Sequence, residues 1–299
     1  MSVTDTRPSR VKQTSPAPTT TPTPATLVQY GSSFGSSSAG TDASPPSRAP
    51  RRARLVLLGG VLPLLILAAW WGISASGAVP SYRLPPPAAV VAAGVDLWQR
   101  GLLGPYAAIS TQRVMLGFAI GSIVGLTVGS IVGLSRAASA VFAPTIGAFR
   151  AVPSLAWVPL LILYLGFGED SKVTLVAIGA IFPVYTTVAG ALHHVDPHLV
   201  EVGRAFGYTR FELLTRIQLP AVVPSIVSGL RLGLAQSWLF LVAAELIASS
   251  MGLGYLLVES QGNGRIDRIF LAIITLAVLG KLSDAALGLL ERYLLSRWS

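Results

Sequence analysis

The chain has 299 residues, of which 52% are hydrophobic and 12% charged, with a mean hydropathy of +0.64 and no cysteine. A soluble domain carries about twice that charged fraction, so a soluble fold is excluded, as are disulfides and thiolate metal sites. The net charge of +9 suggests nucleic acid until it is located: seven basic residues against two acidic ones leave +5 within residues 1–54, just before the first apolar run, where the positive-inside rule places basic residues.

Residues 1–50 are rich in Pro, Thr and Ser and bury too little apolar surface to offset their ordering entropy. Residues 1–54 are therefore expected to be a disordered basic cytoplasmic tail. The run from Leu55 to about Ile73 is long enough to span a bilayer. Its polar leader is too long, and its apolar core too extended, for a signal peptide, so 55–76 reads as the first transmembrane helix. Residues 77–106, with Arg83, Pro85, Pro86, Pro87, Asp96 and Arg100, read as an outside segment carrying one short amphipathic helix. A five-helix core follows over 107–292, with apolar stretches at about 107–134, 140–166, 173–193, 221–246 and 269–290, then a short tail at 293–299. The fold class is thus an all-α integral membrane protein with six spans. Arg136, Arg204, Arg210, Arg216, Arg292 and Arg297 fall on one side. On the other, Glu169, Asp170, Lys172, Glu259, Arg265, Asp267 and Arg268 nearly balance. That asymmetry puts both termini in the cytoplasm.

In the second span Gly117, Gly121, Gly125, Gly129 and Gly133 recur every four residues, a run of small-xxx-small steps that admits close approach of another backbone. The stripe winds slowly around the helix, so it can meet more than one neighbour; packing, not ligand binding, is its reading. The third span contains Pro144, Pro153 and Pro159 with Arg150 nearby, and reads as a kinked helix.

The segment from Asp196 to Pro220 reads as two short helices. Asp196 caps the first and Pro197 occupies its first position. Gly207 takes the left-handed conformation that ends it. Thr209 and Glu212 form a capping box for the second, and Pro220 opens the next span. Helices this short need a surface to lie against; Val200, Phe206, Tyr208, Phe211 and Leu214 supply apolar contacts, and Glu201, Arg204, Arg210 and Arg216 polar ones.

Glu201, Gly207, Ile217, Leu219 and Pro220 fall at the positions of the pattern E-A-A-x3-G-x9-I-x-L-P, with Val202 and Gly203 in place of the alanines. In this the chain resembles the permeases of binding-protein-dependent ATP-binding-cassette importers. The likeness covers about 100–297. Residues 152–159 and 165–169, Gly229-Leu230-Arg231, Ala244-Glu245-Leu246-Ile247, 252–256 and 279–284 look like the sulfonate, nitrate and taurine branch. The resemblance implies a type I importer bundle in a prokaryotic inner membrane. It also implies a coupling loop at 196–220, whose Glu201, Gly203, Arg204, Gly207, Ile217, Leu219 and Pro220 dock on a cytoplasmic ATPase dimer. Further implied partners are an extracytoplasmic solute-binding protein and a second permease copy. The solute implied is a small organic anion such as an aliphatic sulfonate, or else nitrate, taurine or a pyrimidine vitamin precursor. By the same resemblance Gly252 and Gly254 flank an outer gate; a plain flexible loop is the alternative.

No GxxxxGK[ST] loop occurs in the chain, so ATP and Mg are expected on the partner subunit and no cofactor on this one. Arg231 and Glu245 lie in the fifth span, where charge is costly. Fourteen residues apart, about 21 Å along a helix, they cannot pair with each other. Each is a pathway or gate candidate, or an anchor near an end of its span. Arg150 is a third candidate if it faces a cavity; otherwise it holds neighbouring carbonyls. His193, His194, Asp196 and His198 resemble a metal set, but Asp196 serves better as a cap. An ion-coupled secondary transporter would want buried acids near mid-membrane and repeated halves, and neither is evident. A structural membrane anchor would have no use for the loop pattern.

Overall fold

The computed structural model describes residues 49–153 and 156–298. The chain divides into two units, 1–54 and 55–299; the disordered tail expected over 1–54 lies, up to residue 48, outside the described residues. All described secondary structure is helical or turn. The elements are α1 (Ala49–Ala75), α2 (Pro87–Gln99), α3 (Leu103–Leu134), α4 (Arg136–Ala151), α5 (Trp157–Leu165), α6 (Glu169–His193), α7 (Pro197–Ala205), α8 (Arg210–Leu213), α9 (Leu219–Ala248), α10 (Leu253–Gly262) and α11 (Ile266–Trp298).

Among the described residues, four stretches are long and apolar enough to cross a bilayer: α3, α6, 211–248 and 266–293. The apolar part of α1, Gly60–Ala75, is shorter. The third expected span is corrected: 140–166 is not one kinked helix but two, α4 and α5. Pro153 is the cause. It disfavours helical backbone at the residue before it, and Val152 is extended (φ −68°, ψ 127°). Pro159 sits in the first turn of α5, where its missing N–H has no intrahelical partner to lose. Stacking of Phe149 on Trp157, 5.9 Å between ring centres, bridges the break.

The glycine stripe packs α3 on α6 along its whole length. A Cβ at Gly117 would lie 2.6 Å from that of Val176, one at Gly125 2.9 Å from the Ile181 carbonyl oxygen, and one at Gly133 2.8 Å from the Leu192 Cβ. All five glycines meet α6, so the expectation that the stripe could turn to a second neighbour is not realised; the two helices follow one another instead. Such contact brings backbones within dispersion range. On its other side α6 meets α9 through Val184, Val188, Leu192 and Val222 at one end, and through Leu175, Phe240 and Ala244 towards the other. α6 is therefore the central helix. α10 and the start of α11 pack beside α2 and α3 through Leu97, Tyr106, Leu253, Leu256 and Ala272.

Candidate functional site

Among the described residues, three places hold the sequence-predicted candidates or polar groups beside them. The first is the helical hairpin. Asp196 accepts from the His198 N–H at 2.9 Å, with Pro197 as the first residue of α7. Gly207 ends α7 at φ +78°, and the Tyr208 N–H returns to the Gly203 carbonyl at 3.0 Å, the hydrogen bond of a left-handed helix stop. Thr209 and Glu212 exchange the bonds of a capping box, 2.9 Å and 3.3 Å. The second arm differs from expectation: it is no separate helix. α8 passes through one wide turn, Leu214–Gln218, directly into α9. Pro220 explains the turn, since its ring would collide with the carbonyl four residues back in a regular helix; the Leu219 N–H instead reaches the Leu214 carbonyl. Gly203 is buried against Ile217 and Leu213, whose methyls occupy the space of a Cβ. The departure from alanine there thus serves close packing of the two arms. Glu201, Phe206 and Phe211 are exposed, while a cavity of about 520 Å³ beside Arg204 and Gln218 reaches the end of α3 at Leu134.

The second is a cavity of about 360 Å³ between the α4–α5 break, α6 and α9. Arg150, Thr186 and Gln236 are among its polar lining residues, and Trp157, Phe182 and Phe240 among its apolar ones. Arg150 is exposed and donates to the Thr186 hydroxyl at 3.1 Å; the alternative in which it holds carbonyls is not what the geometry shows. A further cavity of about 230 Å³ shares Arg150 and Thr186.

The third is a charge network at the Glu169 end of α6, in which Arg113, Lys172 and Glu245 are buried and Glu169 is exposed. The Arg113 Nη1 donates to Glu245 Oε1 at 2.7 Å and to the Met251 carbonyl at 2.7 Å. Its Nε and Nη2 grip both oxygens of Glu169 at 2.6 Å, and Lys172 adds a contact to Glu169 at 3.1 Å. Glu245, 1% exposed, also accepts from the Ser110 hydroxyl at 2.8 Å and from the Gly254 N–H at 2.7 Å. Gly252 precedes α10 at φ +122°, with the Glu245 carboxylate where its Cβ would be. The buried Arg113, Lys172 and Glu245 are balanced by the exposed Glu169, the pairing that buried charge requires.

The sequence profile of the family described as "binding-protein-dependent transport system inner membrane component" matches residues 117–295. The chain belongs to that family. This permease is similar to proteins named as aliphatic sulfonates transport permeases in Bacillus subtilis (38% identity, 86% of this chain and 94% of the relative) and Escherichia coli (40%, 80% and 90%). It is also similar to a taurine transport system permease of Escherichia coli (32%, 83% and 91%). A chain of the MetNI methionine ABC transporter, solved in inward-facing conformations, shares its fold with a TM-score of 0.58 at 20% identity, covering 66% of this chain and 97% of that one. The permease is thus a multi-pass subunit of the type I importer fold. It works with an ATPase and a binding protein, and is not itself an enzyme.

Within the permease the sequence candidates separate. Glu245, Gly252 and Gly254 are brought together, and Arg150 faces a cavity. Arg231 does not join them: it bonds Asp284 of α11 at 2.9 Å and 3.0 Å and Glu291 at 3.1 Å. Among the described residues no cluster of three potential metal ligands occurs; His194 Nδ1 lies 2.7 Å from the Gly190 carbonyl oxygen, and Asp196 is spent on the cap. Sequence reasoning passed over Arg113 and Ser110. A guanidinium inside the apolar run 107–134 was the available signal.

Proposed function

We propose that two copies of this permease form the membrane pathway of an importer for small organic anions of the aliphatic sulfonate class. The observation that carries the substrate class is the 38–40% identity to two sulfonate permeases over most of both chains. Taurine fits the same reading, being itself a sulfonate and the named solute of a 32% identical relative. A cavity holding a guanidinium among aromatic side chains supports an anionic solute with a carbon skeleton better than it does nitrate.

In this proposal the hairpin 196–220 seats in the partner ATPase, where ATP and Mg bind, through Glu201, Gly203, Arg204, Gly207, Ile217, Leu219 and Pro220. Phe206 and Phe211, 77% and 73% exposed, are the apolar contacts awaiting that partner. The second arm of the hairpin continues through the wide turn at 214–218 into α9, so movement at the ATPase is handed to the helix that carries Arg231 and Glu245. Both termini lie on the ATPase side of a prokaryotic inner membrane. Gly252, Gly254 and the charge network lie at the opposite face, where the solute-binding protein delivers. ATP closes the ATPase pair and biases a bundle with two arrangements.

The test is reconstitution of the permease with its ATPase in vesicles, with the binding protein added. ATP-dependent uptake of radiolabelled ethanesulfonate is the expected result. Failure to carry any sulfonate, with uptake of another solute, overturns the substrate class; cross-linking that finds 197–219 away from the ATPase overturns the coupling assignment.

A further inference from the structure

We infer that Arg150 is the receptor for the anionic head of the transported solute, at a site formed with Gln236 and the aromatic side chains of Trp157, Phe182 and Phe240. The inference deepens the proposed importer reading, on which it rests for the solute's identity.

Charge bookkeeping leads to it. Arg113 is matched by Glu169 and Glu245, Lys172 by Glu169, and Arg231 by Asp284 and Glu291. Among the described residues no carboxylate comes within ion-pair distance of Arg150. Among the same residues its one hydrogen bond is to a neutral hydroxyl, at 3.1 Å, and a guanidinium has five N–H donors. The Thr186 hydroxyl gives its own proton to the Phe182 carbonyl at 2.8 Å, so it serves Arg150 only as an acceptor and does not neutralise it. An unmatched cation between apolar helices is costly unless it lines a water-filled path or meets an anion.

The surroundings choose the anion's class. The 360 Å³ cavity lies within the range of small-molecule sites. Its charged end is Arg150. The Gln236 amide, with no partner among the described residues, adds neutral donors on the α9 wall, and Trp157, Phe182 and Phe240 supply apolar faces. A tetrahedral oxyanion on a short carbon chain matches both ends, since its oxygens can accept several guanidinium N–H groups at once. The second cavity, also touching Arg150 and Thr186, lies along α4 and α6. The guanidinium therefore stands between two chambers, where it can hold a head group on its way from one to the other.

The chain has no cysteine, so one introduced thiol is the only one on the permease, and labelling is read on the permease chain after it is separated from its partners. In the assembled complex, Gln236→Cys is labelled with methanethiosulfonate reagents bearing either an ethylsulfonate or an ethylammonium tail, with rates normalised to a free thiol. The sulfonate reagent is expected to be favoured tenfold or more, the preference to vanish with Arg150→Gln, and to persist with Arg150→Lys. A preference that survives Arg150→Gln overturns the site. Arg150→Met replaces that variant if it does not assemble, with the same two outcomes. Because labelling needs no transport, the result stands apart from the substrate reading, which ethanesulfonate uptake by the unaltered complex decides separately.

Discussion

Arg113 and Glu245, 132 positions apart in sequence, meet in a buried ion pair of 2.7 Å that ties α3 to α9 and, through Glu169 and Gly254, to the starts of α6 and α10. Removing Arg113 leaves the buried Glu245 without a cation, at a cost of about 3–5 kcal/mol, whereas removing Glu245 leaves Arg113 its two bonds to Glu169. Arg113→Met is therefore expected to lower the thermal midpoint of the purified complex sharply, and Glu245→Leu less. Arg113→Met combined with Glu245→Leu should recover part of the loss, because both charges are then gone. Recovery stays incomplete, since Ser110 and the Gly254 N–H also lose their acceptor. Thermal unfolding of the two singles and the double in detergent measures the coupling; additive losses would mean the pair does not act as a unit.

Gly252 is a second dependency of the same carboxylate. Its φ of +122° and the Glu245 oxygens at its face leave no room for a methyl group. Gly252→Ala carries a backbone penalty of about 1–3 kcal/mol and pushes on a side chain that has nowhere to go. The expected result is a loosened 249–254 segment, read as faster protease nicking there. A thiol placed at 251 should also label faster, while association with the ATPase persists. Labelling unchanged from the parent would show that the Glu245 clamp does not need the glycine.

The hairpin and the glycine stripe were legible in the sequence because their determinants are local: a cap, a left-handed glycine, a capping box and a four-residue period each act within one or two turns. The division between α4 and α5 was half legible. Prolines mark a disturbance, but whether a helix kinks or divides depends on contacts distant in sequence, here the Phe149–Trp157 stack across the break. The wide turn at 214–218 was missed because Pro220 read equally well as a helix start. Partner identities were beyond reach. Glu245 and Arg231 each stood out as a charge in a span, yet nothing nearby in sequence selects Arg113 for one and Asp284 for the other; tertiary packing does.

Gly207 offers a clean separation of strain from sterics. Nothing lies within 4 Å of the position its Cβ would take, and its φ is +78°. Gly207→Val therefore acts through the backbone alone, costing about 1–2 kcal/mol in a segment outside the bundle core. Membrane insertion and bundle stability are expected to hold, while the ratio of solute imported to ATP hydrolysed falls. Gly207→Asn, which tolerates the left-handed region, should keep most of that ratio. Equal coupling in the valine and parent complexes would remove the hairpin stop from the coupling path.

The stripe makes a graded prediction. At Gly121 a Cβ would sit against the Ala177 carbonyl oxygen and 2.7 Å from the Ala180 Cβ, whereas at Gly129 its nearest neighbours are at 3.1 Å. Backbone atoms of α6 cannot yield as a side-chain tip can. Gly121→Ala is therefore expected to cost more than Gly129→Ala, within the range of about 1–3 kcal/mol for overpacking. Yield of folded chain and thermal midpoint read the order, and the reverse order would mean that α3 and α6 slide apart freely.

Arg231 tests whether charge ties α9 to α11 for motion or only for stability. Its side chain is 39% exposed, with Asp284 at 31% and Glu291 at 23%, and pairs of that exposure contribute little to stability. Arg231→Met should accordingly assemble near the parent level. Uptake should fall, since α9 is continuous with the hairpin and loses its polar grip on α11. Exchanging the charges, Arg231→Asp with Asp284→Arg, rebuilds an opposite-charge pair and is expected to restore uptake in part, although the new arginine also inherits Lys281 as a neighbour at the former carboxylate. Loss of the assembled complex in Arg231→Met, with uptake per complex unchanged, would assign the residue to anchoring instead.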